Sequence, residues 1–553
     1  MKKDHFTLGL IVLIALGLAG LFVFVKLYDS AFPTASIDLK VSRKEAQEIA
    51  QEYVESMGFD LGSYNSSIIF GSHGSAAVFL ERTQGMEKAN ELMRREVPVW
   101  RWEARWFKPL QKEEFKVFVD PSGRVIGFRR EIEEDAKGAN IEQEKALRLA
   151  ERFLADVEKI DLGQYEMVEA SSEKRKNRTD HHFVWKRRGY EIKWKEGEEA
   201  GVGTLRVGVD VWGDRIGSFR RFFNVPEKFQ RDYKKAISTG QLLGIVSFAF
   251  MVLIFFGALA MVIIKSRAGE IRWKFALVFG ITVSMLWIAM HLNSIPMIKA
   301  AYPTQMGYGT FMGIQLVLAF IVALIYGLLI LLTGASGDSI TRETYPKSMS
   351  TVNSLLKGRI VSRDFAFSSV RGYTLAFLFC GYITLFYMIG RKALGIWMPV
   401  QSPYSNMLGT VLPFIYPLTI SLLAAVSEEF IFRFFSISIL KRYLKITFLA
   451  LLIPAAIWAF AHSGTQVFPA YVRGVELTVA GLAFGYFFIK YGLMTVIIAH
   501  YVIDAIFIGI PLLRSENSYF LISGIIVVIL AALPAIPAFL GLGRTEMAES
   551  GFS

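Results

Sequence analysis

The 553-residue chain is 53% hydrophobic and 14% aromatic, with a mean hydropathy of +0.38, a profile that excludes an ordinary soluble enzyme and points to a polytopic membrane protein. Its net charge of +12 is concentrated in short loops beside apolar runs, where Lys and Arg set membrane orientation, and not in a stripe that would bind nucleic acid. A single cysteine, Cys380, excludes an internal disulfide, a CxxC zinc site and a redox pair.

The first apolar run, about 6–28, follows MKKDH. It is long and lacks a clear small-residue cleavage site, so it reads as an uncleaved transmembrane anchor and not as a signal peptide. Residues 36–232 are soluble in character and repeat themselves. Helical periodicity in VSRKEAQEIAQEYVESMGFDLGSY (41–64) returns in IEQEKALRLAERFLADVEKIDLGQY (141–165), and each copy ends in Asp-Leu-Gly-x-Tyr. Downstream of each helix a strand pair with a turn is expected, at VDPSGRVIGFRR (119–130) and VDVWGDRIGSFRR (209–221). The segment is thus expected to be an α+β domain of two repeats. It resembles tandem PepSY domains, extracytoplasmic modules often attached to proteases.

Nine further apolar runs approach the ~20 residues a spanning helix needs. They lie at about 241–265, 273–293, 309–333, 372–390, 409–435, 446–462, 472–489, 493–512 and 518–541. The fold class is therefore a polytopic α-helical membrane protein of about ten transmembrane helices, three of them additional spans at 241–333 ahead of a core at 370–541. Basic residues mark alternate loops: Lys265, Arg267, Arg272 and Lys274; Arg342, Lys347, Lys357, Arg359, Arg363 and Arg371; Lys441, Arg442 and Lys445. The positive-inside rule then puts both termini in the cytoplasm and residues 29–238 outside a multi-pass plasma-membrane protein. The Arg433 end of its charged helix points to the cytoplasm, so a site on that helix is expected to open inside, away from the outer domain.

The segment SEEFIFR, Ser427–Arg433, carries three charges within an otherwise apolar run. Each costs ~2.5–3.5 kcal/mol at mid-membrane even on the mild insertion scale. Glu429 and Arg433 are four residues apart, share a helical face and neutralise each other. Glu428, about 100° around the helix, has no partner within this motif and is a functional candidate. His462 closes the run LLIPAAIWAFAH with Trp458 one turn before it, and His500 and Asp504 share a face in IIAHYVIDAIF. Taken singly, each histidine is more often a packing residue; together, the charges point to one buried polar site.

The order EExxxR (Glu428, Glu429, Arg433), Trp458-xxx-His462 and His500-xxx-Asp504 in successive spans resembles the CAAX prenyl protease 2 family, also called the CPBP or abortive-infection family of intramembrane proteases. The second motif more usually has Phe where this chain has Trp458, a conservative change, and the third often ends in Asn, not Asp. The resemblance implies an intramembrane endopeptidase of bacterial or archaeal type acting on membrane-associated peptides or proteins. Glu428 would activate water, His462 position it, and His500 polarise the carbonyl with Asp504 orienting it. Glu429, Arg433 and Trp458 would shape the site.

A metal-free mechanism is favoured, with no cofactor. A zinc or other divalent-metal site using Glu428, His462 and His500 stays open, because three protein ligands plus water is the usual catalytic arrangement. Two other classes stay open as well: a proton-coupled transporter using the same buried groups, and a non-catalytic scaffold or receptor. Expected partners are the lipid bilayer and the peptide or protein substrate, with no nucleic acid.

Overall fold

The duplicated pattern folds into one eight-stranded antiparallel sheet in the computed structural model of the chain, which describes residues 2–196, 199–398, 403–465 and 467–542. Helix α1 (Lys2–Ala31) leads into the first repeat. Its helix α2 (Arg43–Ser56) opens with a capping box: Ser42 Oγ accepts from the Glu45 N–H at 3.3 Å, and the Glu45 carboxylate accepts from the Ser42 N–H at 2.6 Å. Ala46, Ala50 and Val54, spaced four apart, form its buried face. Strands β1 (Asn65–Ser72), β2 (Trp100–Phe107), β3 (Glu114–Val119) and β4 (Val125–Glu131) follow, with α3 (Gly74–Gln84) and α4 (Met86–Arg95) inserted between β1 and β2.

The second repeat has α5 (Gln143–Arg152), with Ala146 and Ala150 buried, and strands β5 (Tyr165–Lys174), β6 (Thr179–Glu196), β7 (Glu199–Trp212) and β8 (Arg215–Asn224). The strand order is β1-β2-β3-β4-β8-β7-β6-β5, so the two meanders meet through their last strands. At that seam Phe128 pairs with Phe219, the same position of the shared motif in each copy, as a two-fold relation between repeats requires. Both anticipated hairpins form. In the first turn Asp120 Oδ1 accepts the N–H groups of Ser122 and Arg124, each at 3.0 Å, and Gly123 supplies φ +97°; Gly213 supplies φ +65° in the second.

The chain then enters the membrane helices: α6 (Glu227–Arg267), α7 (Trp273–Asn293), the short α8 (Ile295–Ala300), α9 (Tyr308–Thr344), α10 (Ser350–Leu356), α11 (Arg363–Leu394) and α12 (Pro403–Leu408). Next come α13 (Ile415–Glu428), a π-helical stretch Glu429–Ile437 and α14 (Ser438–Leu444), which run on as one helix, then α15 (Thr447–Ala461), α16 (Val472–Tyr491), α17 (Leu493–Leu513), α18 (Ser518–Ala531) and α19 (Ala535–Leu542). Among the described residues eight helices are long and apolar enough to cross a membrane, two fewer than the ten expected. The run at 446–462 forms a helix of only 15 residues, α15, and the run at 409–435 carries the Glu428–Arg433 charges and is divided by the π-helical stretch. Helix α1 packs closely on α11: a Cβ on Gly381 would lie 2.5 Å from Gly20 Cα, so only small residues permit the approach.

Helix ends alternate between two faces. At one face, Arg105 donates to the carbonyls of Ala300 and Tyr302 at 2.8 Å, and Ser515 Oγ donates to Leu39 O at 2.9 Å. There also Arg391 lies 3.4 Å from Glu81, which accepts the Met398 N–H at 3.3 Å. This face carries the sheet domain. At the other face, Lys265 meets Glu270 and Glu343, Arg442 meets Glu343, and Arg272 and Arg342 converge on buried Asp338. The core of the first repeat is continuous with the membrane part: Trp100 and Trp102 cluster with Tyr404, Met407, Leu408, Tyr416 and Phe520. At this junction aromatic side chains of the sheet domain and of the membrane part pack into one cluster.

Candidate active site

The π-helical stretch begins where the charged motif begins. Ser436 Oγ donates to Ile431 O, five residues back, at 2.7 Å, which fits the wider turn. Two adjacent carboxylates therefore face different surroundings. Glu429 is fully buried, with Oε1 3.2 Å from Arg433 Nη1, and the Arg433 guanidinium lies over the rings of Trp458 (4.2 Å) and Phe484 (5.3 Å). Glu428 instead lines a cavity of about 360 Å³.

Three helices bring side chains to the Glu428 carboxylate. From α15, the Trp458 indole N–H donates to Oε2, and His462 at the helix end turns Nε2 to within 3.8 Å of Oε1. His462 Nδ1 lies 2.8 Å from the Trp458 carbonyl, an acceptor only, so Nδ1 carries a proton. From α17, His500 Nδ1 lies 2.8 Å from Glu429 Oε1, and its Nε2 stands 3.7 Å from Glu428 Oε2 and 3.6 Å from Asp504 Oδ2. Glu428, His462, His500 and Asp504 thus line one cavity, with Glu429 and Arg433 packed behind it.

Three expectations change here. Glu429, not Asp504, makes the short bond that fixes the His500 ring, because it comes against Nδ1 from the neighbouring helix. Trp458 in place of Phe is not conservative, since only an indole can donate to Glu428. The cavity extends from the reacting groups toward the sheet domain, not toward the basic face. Its lining runs from the domain-side ends of α11, α13, α16 and α17 to Glu428, Phe484 and His500 near mid-bundle, and its roof is Phe32–Thr34, Met398 and Tyr404.

Sequence reasoning passed over a second polar cluster in the same cavity. Arg473 Nη1 lies 2.6 Å from Glu476 Oε2, and Tyr387 donates to that oxygen at 3.3 Å. Opposite charges three residues apart in the apolar run 472–489 were the available signal. The donor set considered for a metal, Glu428, His462 and His500, has one carboxylate oxygen engaged by Trp458. Among the described residues no group of three or more His, Cys, Asp or Glu side chains is arranged to hold a metal ion.

Comparison with known proteins adds to this geometry. Residues 410–506, which contain every motif residue from Glu428 to Asp504, match the family described as type II CAAX prenyl endopeptidase, Rce1-like. Residues 80–197 match the YcdB, YcdC repeated domain, a match that runs from α3 in the first repeat to β6 in the second. The sporulation-killing factor biosynthesis protein SkfC of Bacillus subtilis (strain 168) is 19% identical over 515 residues, 92% of this chain and 96% of its own length. No solved structure matches significantly.

Proposed function

We propose that the membrane core of this chain, whose residues 410–506 match the Rce1-like, CAAX-type family, is an intramembrane protease that hydrolyses peptide bonds with Glu428 as the base that activates water. The reading is carried by one observation: the Glu428 carboxylate faces His462 and His500 across gaps of 3.8 and 3.7 Å, in a cavity large enough for a peptide segment. Each gap exceeds a hydrogen bond yet is spanned by one water or substrate oxygen.

In this mechanism water sits between Glu428 and His462 and loses a proton to Glu428 as its oxygen attacks the peptide carbonyl carbon. The carbonyl π pair moves to oxygen, and His500 Nε2–H donates to the oxyanion while Glu429 holds the ring through Nδ1–H. Collapse of the tetrahedral intermediate breaks the C–N bond, and Glu428 returns the proton to the leaving amine. Asp504 borders the same space. Glu429 and Arg433 keep the ring and the indole in register.

The domain plan retained with this reading is an anchor at 6–28, a PepSY-like outer domain at 36–232, three added spans at 241–333 and a catalytic core at 370–541. The basic loops are assigned to the cytoplasm and the sheet domain to the outside of a bacterial cell membrane. SkfC is named for the biosynthesis of a sporulation-killing factor, which favours a peptide or protein in maturation as the substrate. Mass spectrometry of a quenched-fluorescence peptide library incubated with purified protein, with and without chelator, tests the assignment. Discrete internal cleavages that survive the chelator are expected; no cleavage of any peptide would overturn it, and cleavage abolished by the chelator would overturn the metal-free form.

A further inference from the structure

We infer that the catalytic cavity is loaded from the face that carries the sheet domain, and that its substrate is an apolar or basic peptide segment presented at that face. This deepens the protease reading by naming where the substrate comes from and what it looks like.

The walls carry the first argument. Helix α11 ends at the domain face, and Phe379, Ile383 and Tyr387 line the cavity at successive turns toward that end. Helix α13 begins there and contributes Ile420, Ala424 and Glu428. Helix α16 contributes Arg473, Glu476 and Ala480 and α17 contributes Asp504 and Phe507 from their domain-side halves, with Phe484 and His500 just past the middle. Glu428 and His500 each stand thirteen residues from that end of their helix. At 1.5 Å per residue the reacting groups lie about 20 Å below the domain face.

The floor is closed. Between the reacting groups and the basic face stand Glu429, Arg433, Phe430, Phe434 and Phe488, none more than 1% exposed. Beyond them the helix ends are tied by the Lys265–Glu343–Arg442 and Arg272–Asp338–Arg342 clusters. Parting these helices would break a packed core and strand the buried Asp338 carboxylate and the buried Lys265 ammonium.

The roof is of a different kind. Phe32–Thr34 is the link between α1 and the sheet domain, and Met398 and Tyr404 belong to the segment joining α11 to α13. These are connecting segments and not packed helix, and polar contacts hold them on both sides. Tyr28 and Thr34 share a 2.8 Å hydrogen bond, Asn90 Nδ2 donates to Phe32 O at 3.2 Å, and the Met398 N–H donates to Glu81. Asn90 and Glu81 tie the roof to the sheet domain, while Arg391 donates to Ser30 O and Ala31 O, Trp397 pairs with Phe468 and Phe32 packs on Phe507 on the helix side, so the roof bridges the domain and the helices. The charged side chains on the cavity wall are Glu428, Glu476 and Asp504 against Arg473 and His500, which carries a proton on each ring nitrogen in the proposed mechanism; the acidic excess disfavours an acidic segment.

The test uses thiol accessibility, which needs no turnover. The chain's own Cys380 is fully buried. Ala480→Cys and Ala424→Cys each put a thiol on the cavity wall, while Glu516→Cys and Lys357→Cys, at exposed positions, report the domain and basic faces. A membrane-impermeant cationic methanethiosulfonate is applied to one side of sealed vesicles. Ala480→Cys is expected to react from the side that labels Glu516→Cys, at least tenfold faster than from the side that labels Lys357→Cys; Ala424→Cys carries the test if Ala480→Cys misassembles. Faster labelling from the basic face, labelling from neither side, or labelling only by a lipid-soluble reagent would overturn the inference. Labelling from the domain face in a protein that cleaves nothing would keep it and remove the protease reading instead.

Discussion

Trp458 orients both halves of the proposed water site: its indole N–H donates to the Glu428 carboxylate, and its backbone carbonyl holds Nδ1 of His462 at 2.8 Å. One residue on α15 therefore sets the separation between the base and its histidine. The same ring covers the Arg433 guanidinium, which ties the arrangement to the buried ion pair.

Trp458→Phe keeps an aromatic ring over Arg433, smaller than the indole, and removes the N–H donor. A hydrogen bond to a charged group contributes about 1.5–3 kcal/mol, so kcat should fall roughly ten- to hundredfold while KM moves little. Steady-state kinetics on one cleaved peptide checks this. An unchanged kcat would remove the indole from the mechanism.

The Glu429–Arg433 pair is buried on both sides, at 0% and 1% side-chain exposure. Arg433→Leu should lower thermal stability in detergent by about 3–5 kcal/mol, because it strands a buried carboxylate, whereas Glu428→Gln leaves that pair intact. His500, at 2.8 Å from Glu429, offsets part of the loss. Equal melting temperatures for the two variants would contradict a buried pair.

At the junction of sheet domain and membrane core, burial pushes the Glu81 carboxyl up from its ordinary value to about 7, against the opposing influence of Arg391, the Met398 N–H and Arg82. A carboxyl raised in the docked state favours docking when protonated. That contribution is complete below the ordinary carboxylate pKa and is lost as pH rises through about 7. Labelling of Ala480→Cys relative to Glu516→Cys should therefore quicken as pH rises through neutrality, and Glu81→Gln should flatten the profile. An identical slope in Glu81→Gln would rule Glu81 out.

Deleting residues 36–232 removes Trp100 and Trp102, which pack with Tyr404, Met407 and Phe520, and removes the Phe32–Thr34 support. A soluble, self-repeating segment at 36–232 would by itself suggest a removable domain whose loss leaves short-peptide cleavage intact. The shared core reverses that: the truncated chain should fail to yield monodisperse protein, read by size-exclusion chromatography in detergent. A well-behaved, active truncation would show that the junction contributes little.

Much of this was legible because its signals are local. Three motifs announce themselves as charges at helical spacing in apolar runs, and the two repeats declare their hairpins through Asp120–Gly123 and Asp210–Gly213. What escaped depends on partners distant in sequence. The Trp458 donor bond spans 30 residues, Trp102 stacks on Phe520 across the junction, and nothing in FIFRFFSI distinguishes a π-helical turn from an α-helical one. The cavity's orientation followed the same rule. Loop charge gave a direction to the helix, but which half of the bundle is hollow depends on packing among α11, α13, α16 and α17.

The central claim is that Glu428 is the base, and turnover by purified Glu428→Gln against wild type tests it most directly. The substitution is nearly isosteric, retains an acceptor for Trp458 and leaves Glu429–Arg433 untouched. The account predicts peptide hydrolysis at least a thousandfold below wild type, with the same melting temperature and peptide affinity. Wild-type turnover by a folded Glu428→Gln protein would contradict it.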